Sequence, residues 1–194
     1  MATNAKVGLV DSKISGLDDW TRDGKQLMLR MGNTVAVIPA PEEGLVKPAD
    51  AKPQVLLDAP FNKDQFRVSP DGKWVAYTSS ESGPAEVNVA AFPSFTNRRQ
   101  ISTRASVEPL WRADGKELFF KDRNNLVAVE VKAGAAFETG PIRTLFPVAI
   151  RNTGVYSYAV TRDGQRFLVL EPPKAASNTV EQLYVIANWP ALVK

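Results

Sequence analysis

The sequence contains no cysteine and no histidine among its 194 residues. Without them the chain has no disulfide, no thiolate nucleophile, no imidazole base and no zinc site built on these side chains. Hydrolases that rely on a histidine relay are therefore excluded, and any catalysis would depend on carboxylates, lysine, tyrosine or a bound cofactor. A calcium loop of the Asp-x-Asp-x-Asp-Gly type and a phosphate-binding glycine pattern are also absent. We predict no metal site and no cofactor.

Long apolar runs and clustered charge are missing as well. The apolar stretch at residues 7–10 is too short for the core of a signal peptide or for a membrane span. Lysine and arginine number 24 against 21 acidic residues, but they are dispersed, and Arg98 and Arg99 form the only adjacent basic pair. A nucleic-acid site concentrates basic residues on one face. We therefore predict no nucleic-acid partner and no membrane insertion, and the sequence carries no targeting signal that assigns a compartment.

What the sequence does contain is a repeat. A large apolar residue stands three positions before an Asp-Gly pair four times, with aspartates 23, 71, 114 and 163 separated by 48, 43 and 49 residues. Glycine accepts a positive φ, and aspartate can hydrogen-bond its own backbone, so each pair predicts a tight β-hairpin. An apolar run typical of a strand follows each pair. A period of this length with four strands per unit is typical of a β-propeller blade.

The repeat predicts an all-β fold, a single β-propeller domain spanning residues 1–194 with four blades of four antiparallel strands. The blades are expected at about 12–57, 62–102, 105–146 and 155–189. The last blade lacks a fourth strand, and a strand at residues 6–10 is predicted to complete it beside residues 183–186. Two forms of closure remain open. The chain either closes as a four-bladed monomer or exchanges its first strand with a second copy, which gives an eight-bladed homodimer.

Several segments resemble a known family. Residues 66–79, FRVSPDGKWVAYTS, resemble the WD40-like (PD40) repeat of TolB-type bacterial β-propellers. Residues 108–120, EPLWRADGKELFF, and 185–189, VIANW, resemble the carboxy-terminal propeller of acidobacterial-type serine/threonine protein kinases. The resemblance covers nearly the whole chain from Leu17 onward. It implies a sensory or interaction module that lies outside a kinase domain, in an extracytoplasmic location.

The predicted function is noncatalytic binding of a protein or peptide. Loops from many blades converge on one rigid face of a propeller, here expected to be the face with the connections into the inner strands. The expected contact residues are Asp19, Asp64, Arg67, Glu108, Tyr156 and Tyr158. The alternative is a carboxylate-based glycosidase or lyase that uses Asp19, Asp64 and Glu108 in the central channel. Such an enzyme needs two carboxyl groups about 5 to 9.5 Å apart.

Aromatic residues recur at equivalent positions of the repeat. Because they recur with the blades, we predict that they pack between blades and do not stack on a ligand. These residues are Trp20, Trp74, Trp111, Phe119, Phe120 and Phe167.

Overall fold

The computed structural model describes residues 8–9, 13–40, 45–46, 52–103, 105–133, 136–148, 156–170 and 183–187. In these ranges the protein is all-β, as predicted, and no helix long and apolar enough to cross a bilayer is found there. The first nine strands are β1 (Gly8–Leu9), β2 (Ile14–Trp20), β3 (Gln26–Met31), β4 (Thr34–Pro39), β5 (Leu45–Val46), β6 (Gln54–Asp58), β7 (Lys63–Val68), β8 (Trp74–Ser79) and β9 (Glu86–Ala91). The others are β10 (Arg99–Gln100), β11 (Ser106–Trp111), β12 (Glu117–Asp122), β13 (Asn125–Ala133), β14 (Phe137–Pro147), β15 (Tyr158–Val160), β16 (Arg166–Leu170) and β17 (Leu183–Ala187).

Fifteen of these strands form four antiparallel sheets, which are the blades of a propeller. Blade 1 contains β2, β3, β4 and β6, and blade 2 contains β7 to β10. Blade 3 contains β11 to β14, and blade 4 contains β15 to β17. Within each blade the strands follow one another in chain order across the sheet. The first strands of blades 1, 2 and 3 contact one another in sequence, so the first strand of each blade lies innermost.

Each Asp-Gly pair closes the hairpin between the first and second strands of its blade, which confirms the prediction. The glycine N–H donates to the carbonyl oxygen three residues earlier at 2.8 or 2.9 Å in all four turns. The φ angles of Gly24, Gly72, Gly115 and Gly164 are 75°, 70°, 74° and 73°. The aspartate carboxylate accepts the backbone N–H two residues later in each turn. The pair therefore supplies both the backbone freedom and the local hydrogen bonds that the turn requires.

Neighbouring blades pack through three apolar clusters. One joins blades 1 and 2 around Phe66 and Tyr77, whose rings stack with centroids 5.2 Å apart. Another joins blades 2 and 3 around Trp74 and Phe120, and the last joins blades 3 and 4 around Phe167. All six residues of β8 are buried because blade 2 is covered on both faces. The continuous apolar run at residues 74–77 reflects this burial on two sides.

The outer faces of blades 1 and 4 differ from those of the two inner blades. In β2, Leu17 and Trp20 lie opposite Leu29 and Leu27 on the face turned away from blade 2, and they are 65% and 53% exposed. In β16, Leu168 is 37% exposed on the face turned away from blade 3. No apolar cluster of the described residues joins blade 4 to blade 1. The described blades therefore form an arc with two partly uncovered ends.

The first strand is not paired as the sequence predicted. Gly8 and Leu9 pair in parallel with Leu45 and Val46, in the connection between β4 and β6. Gly8 and Leu9 therefore do not lie beside residues 183–186, where they were predicted. Residues 6, 7 and 10 of the predicted strand lie outside the described ranges. This pairing was not predicted because residues 39–53 show no regular alternation of apolar and polar residues. In its described part, blade 4 has three strands.

Candidate functional site

The innermost strands of blades 1, 2 and 3 are interrupted by β-bulges. Strand pairing shifts between Leu17 and Asp19, between Asp64 and Arg67, and between Val107 and Leu110. Gln65 and Glu108 have φ angles of 57° and 61°, which are unfavourable for residues with a side chain. A bulge re-aims the side chain at its position. These three bulges turn polar side chains toward the next blade.

The bulged side chains make one recurring contact at each blade junction. The Asp18 carboxylate accepts the Phe66 N–H at 3.4 Å, and the Gln65 side-chain oxygen accepts the Glu108 N–H at 2.9 Å. The Glu108 carboxylate accepts the Ser157 N–H at 2.8 Å. The roles of Asp18 and Gln65 were not predicted from the sequence. Asp18 lies five residues before Asp23, and Gln65 lies six residues before Asp71. This shared position in the repeat could have indicated an equivalent role.

Glu108 also belongs to a buried polar network between blades 3 and 4. The Lys121 ammonium lies 3.3 Å from its carboxylate, and the two side chains are 1% and 2% exposed. Lys121 also donates to Ser157 Oγ at 2.7 Å, while that hydroxyl lies 2.9 Å from Glu108 Oε2. A serine beside a lysine is a pair that a histidine-free hydrolase can use. Here the hydroxyl is buried and already hydrogen-bonded to the carboxylate.

Arg67 of blade 2 contacts Tyr156, which lies just before the first strand of blade 4. The Arg67 guanidinium lies 4.3 Å from the centroid of the Tyr156 ring and donates to the backbone oxygens of Asp18 and Phe66. The Tyr156 hydroxyl lies 3.0 Å from the carbonyl oxygens of both Gln65 and Pro109. Burial raises the pKa of Tyr156 well above its ordinary value, although Arg67 acts in the opposite direction. The phenol is therefore a neutral hydrogen-bond donor that links blade 4 to blades 2 and 3.

The other predicted contact residues lie in different surroundings. Tyr158 is buried in the core between blades 3 and 4, and its hydroxyl donates to the Glu108 carbonyl at 2.8 Å. Asp64 is half-buried near the start of β7, and burial raises the pKa of its carboxyl group while Arg30 lowers it. Asp19 lies near the end of β2, where burial also raises the pKa of its carboxyl group. Asp19 and Arg67 line the same cavity.

That cavity, which we call the axial cavity, has a volume of about 280 Å³ and lies where the four innermost strands end and their Asp-Gly hairpins begin. All four blades line it. Its residues are Asp19, Trp20, Arg22, Arg67, Val68, Pro70, Leu110, Trp111, Ala113, Val160, Thr161 and Arg162. The sequence had predicted the binding surface at the opposite end, where the chain enters the inner strands.

Hydrogen bonds within and between blades fix several of the lining residues. Arg22 of blade 1 donates from Nη1 to the carbonyl oxygen of Ala113 of blade 3 at 2.6 Å. The Asp19 carboxylate accepts the N–H groups of Val68 and Trp20 at 2.7 and 3.0 Å. The Trp111 indole donates to the Arg67 carbonyl at 2.8 Å. The cavity is therefore largely preformed on its blade 2 and blade 3 sides.

Trp20 corrects one sequence prediction. The other five aromatic residues of the repeat are buried or pack against the inter-blade clusters, as expected. Trp20 is 53% exposed, because its face of blade 1 has no neighbouring blade in the described structure. Trp20 lines the axial cavity. Among the described residues, no cluster of aspartates and glutamates is arranged to hold a metal ion.

The sequence matches no protein-family model and no curated protein. The structure is similar to TolB from Acinetobacter baumannii, with a TM-score of 0.65 and 16% identity over 91% of this chain and 41% of the other. A protein from Agrobacterium tumefaciens assigned as a TolB gives a TM-score of 0.60 and 16% identity over 87% and 56% of the two chains. A puromycin-hydrolysing peptidase from Mycobacterium tuberculosis gives 0.59 and 18% identity over 84% and 29%.

These likenesses concern the fold. The chain has the TolB-type β-propeller fold, as the PD40-like segments predicted, and it spans about half the length of the TolB proteins that it matches. The resemblance to a kinase-associated propeller stays a prediction. These neighbours include a peptidase, so the fold does not by itself assign a function, and function has to be argued from the residues of this chain.

Proposed function

We propose that this chain is a noncatalytic propeller that binds a peptide or a protein segment in the axial cavity. The observation that carries the proposal is the exposed residue Trp20, which lines a preformed cavity together with residues of all four blades. Tryptophan and arginine are enriched among the residues that dominate binding energy at protein interfaces. Of the predicted contact residues, Asp19 and Arg67 belong to this surface. Glu108 and Tyr158 are left out of it because both are buried.

The state of the carboxylates supports a noncatalytic role. Glu108 is buried and paired with Lys121, and Asp19 accepts two backbone N–H groups. Asp64 lies near the start of its strand, away from the axial cavity. A glycosidase or lyase needs two carboxyl groups free to reach one bond. We expect background rates in esterase, peptidase and glycosidase assays, and a turnover abolished by Asp64→Asn or Glu108→Gln would favour the enzyme instead.

Selection from a random peptide library on the intact chain tests the proposed function. The selected peptides should bind the wild-type protein and lose about thirtyfold or more in affinity on Trp20→Ala, because truncation of a central tryptophan costs about 2 kcal/mol or more. Ile142→Ala removes a similarly exposed apolar side chain from the outer strand of blade 3 and serves as the control. If the library yields no binder, or if Trp20→Ala binds like wild type, the axial cavity is not a peptide site.

A second copy of this chain is the partner that we propose for the two open ends of the arc. Leu17 on blade 1 and Leu168 on blade 4 are exposed on faces that would each meet another blade in a closed ring. Two-fold pairing covers both ends at once and gives an eight-bladed ring, within the usual range of about four to eight blades. Because Trp20 shares the outer face of blade 1 with Leu17, it would then lie at the junction of the two copies, and the peptide site would border that junction.

A further inference from the structure

The charges around the axial cavity define the class of peptide that fits it. We infer that the cavity binds acidic segments, with a carboxylate on the guanidinium groups of Arg22 and Arg162 and an apolar side chain against Trp20. This inference rests on the proposed peptide-binding function and specifies its ligand. Three arginines and one aspartate line the cavity, so its lining carries an excess of positive charge.

The two exposed arginines retain free donors. Arg22 uses Nη1 for the Ala113 carbonyl, and no other described residue accepts from its guanidinium. Arg162 makes no hydrogen bond or ion pair within the described part of the chain. An arginine fork matches the two oxygens of a carboxylate and binds them in bidentate fashion. The cavity therefore presents unsatisfied cationic donors on blades 1 and 4.

The nearby aspartates are held by other groups. Asp19 receives N–H groups from Val68 and Trp20 and lies next to Arg67, which lowers its pKa against the effect of burial. Asp163 is bound within its own turn by the Thr161 hydroxyl and the Gln165 N–H, and it forms no ion pair with Arg162. An incoming carboxylate would therefore not have to displace an existing salt bridge from Arg22 or Arg162.

Apolar surface beside these donors favours a peptide over a simple anion. Trp20, Leu110 and Val160 line the same cavity. Arginine clusters recognise acidic motifs, while neighbouring aromatic surface takes up an adjacent side chain of the same peptide. With a volume of about 280 Å³, the cavity has room for a few side chains of an extended segment.

The experiment starts from the peptides selected on the full chain. Enriched sequences should carry aspartate or glutamate. For the best binder, we expect replacement of its acidic residues by asparagine or glutamine to weaken binding about tenfold in calorimetric titrations at low salt, and the difference should shrink at high salt. A matched peptide with phosphoserine in place of the acidic residue separates carboxylate from phosphate recognition.

Protein variants locate the charge recognition. Arg162→Ala leaves no described partner unpaired and should weaken the acidic peptide about three- to tenfold, with Arg22→Ala acting in the same direction. Neither substitution should change the affinity for the peptide whose acidic residues are replaced by asparagine or glutamine. Arg99→Ala, an equal charge change on the exposed outer strand of blade 2, is the control and should leave affinity unchanged.

Three outcomes would overturn the inference. If neutral or basic peptides are enriched and their binding depends on Trp20, the proposed function stands and the acidic specificity is wrong. If the phosphoserine peptide binds and the carboxylate peptide does not, the carboxylate assignment is wrong. If no peptide binds at all, the proposed function and the inference fall together.

Discussion

Gly72 and Gly164 occupy the same position in equivalent hairpins, with φ of 70° and 73°, but their surroundings differ. A Cβ on Gly72 would meet no atom within 4 Å, whereas one on Gly164 would lie 2.8 Å from Arg112 Cδ and 3.3 Å from Phe119. Gly72→Ala should therefore cost about 1 kcal/mol from backbone strain alone. Gly164→Ala adds overpacking of about 1 to 3 kcal/mol. Thermal melts of both variants check the difference, and equal melting temperatures would contradict the crowding at Gly164.

Asp64 provides a pH-dependent prediction at the same scale. Burial raises the pKa of its carboxyl group above the ordinary value of 3.8, Arg30 lowers it and Asp18 raises it. The folded state then binds a proton more tightly than the unfolded state does, so ionised Asp64 lowers stability at neutral pH. This cost disappears as pH falls through the folded pKa toward 3.8.

Asp64→Asn should therefore raise the melting temperature at pH 7, and the gain should shrink at about pH 4. No described residue donates a hydrogen bond to the carboxylate, so the amide forfeits no observed contact. Melting curves at the two pH values measure the effect. A variant less stable than wild type at pH 7 would show that the charge is stabilising.

At the level of elements, the bulged inner strands connect successive blades. The junction between blades 3 and 4 depends on the Glu108 carboxylate, which is buried with Lys121. Lys121→Met leaves that charge without its cation and should lower the free energy of unfolding by about 3 to 5 kcal/mol. The double variant Glu108→Gln/Lys121→Met should recover a large part of this loss. The glutamine oxygen can still accept the Ser157 N–H, and no buried charge remains.

Urea unfolding of the single and double variants measures these changes. Arg98→Met is the control, because its ion pair with Glu81 is solvent-exposed, with side chains 43% and 50% accessible, and should contribute less than about 1 kcal/mol. A double variant as unstable as Lys121→Met alone would mean that the loss comes from packing of the lysine and not from the unpaired carboxylate.

The elements also show which features a sequence can reveal. The Asp-Gly hairpins were predictable because their cause is local, a glycine at positive φ and an aspartate that bonds its own turn. The bulges at Gln65 and Glu108 were not, since their positive φ is stabilised by hydrogen bonds to the next blade. Trp20 was misjudged for a related reason. Its repeat position indicated packing between blades, but whether a blade covers it depends on the whole arc.

At the level of the whole molecule, the two ends of the arc predict the state of assembly. Leu17 and Leu168 are exposed on the outer faces of blades 1 and 4, whereas blades 2 and 3 are covered on both faces. Exposed apolar faces at both ends favour association with a copy that covers them. Light scattering should therefore report twice the chain mass of 21.2 kDa.

Variants distinguish end-face packing from strand exchange as the cause of this dimer. Leu17→Glu should reduce the measured mass to that of a single chain, because it places a charge in the proposed interface. Ile142→Glu, on the outer strand of blade 3, should remain a dimer. A shortened chain beginning at Ser12 should also remain a dimer, since Gly8 and Leu9 pair with Leu45 and Val46 and not with blade 4. A monomeric shortened chain beside a dimeric full chain would instead support exchange of the first strand. A wild-type monomer at all concentrations would reject both routes, because neither open end would then require a second copy.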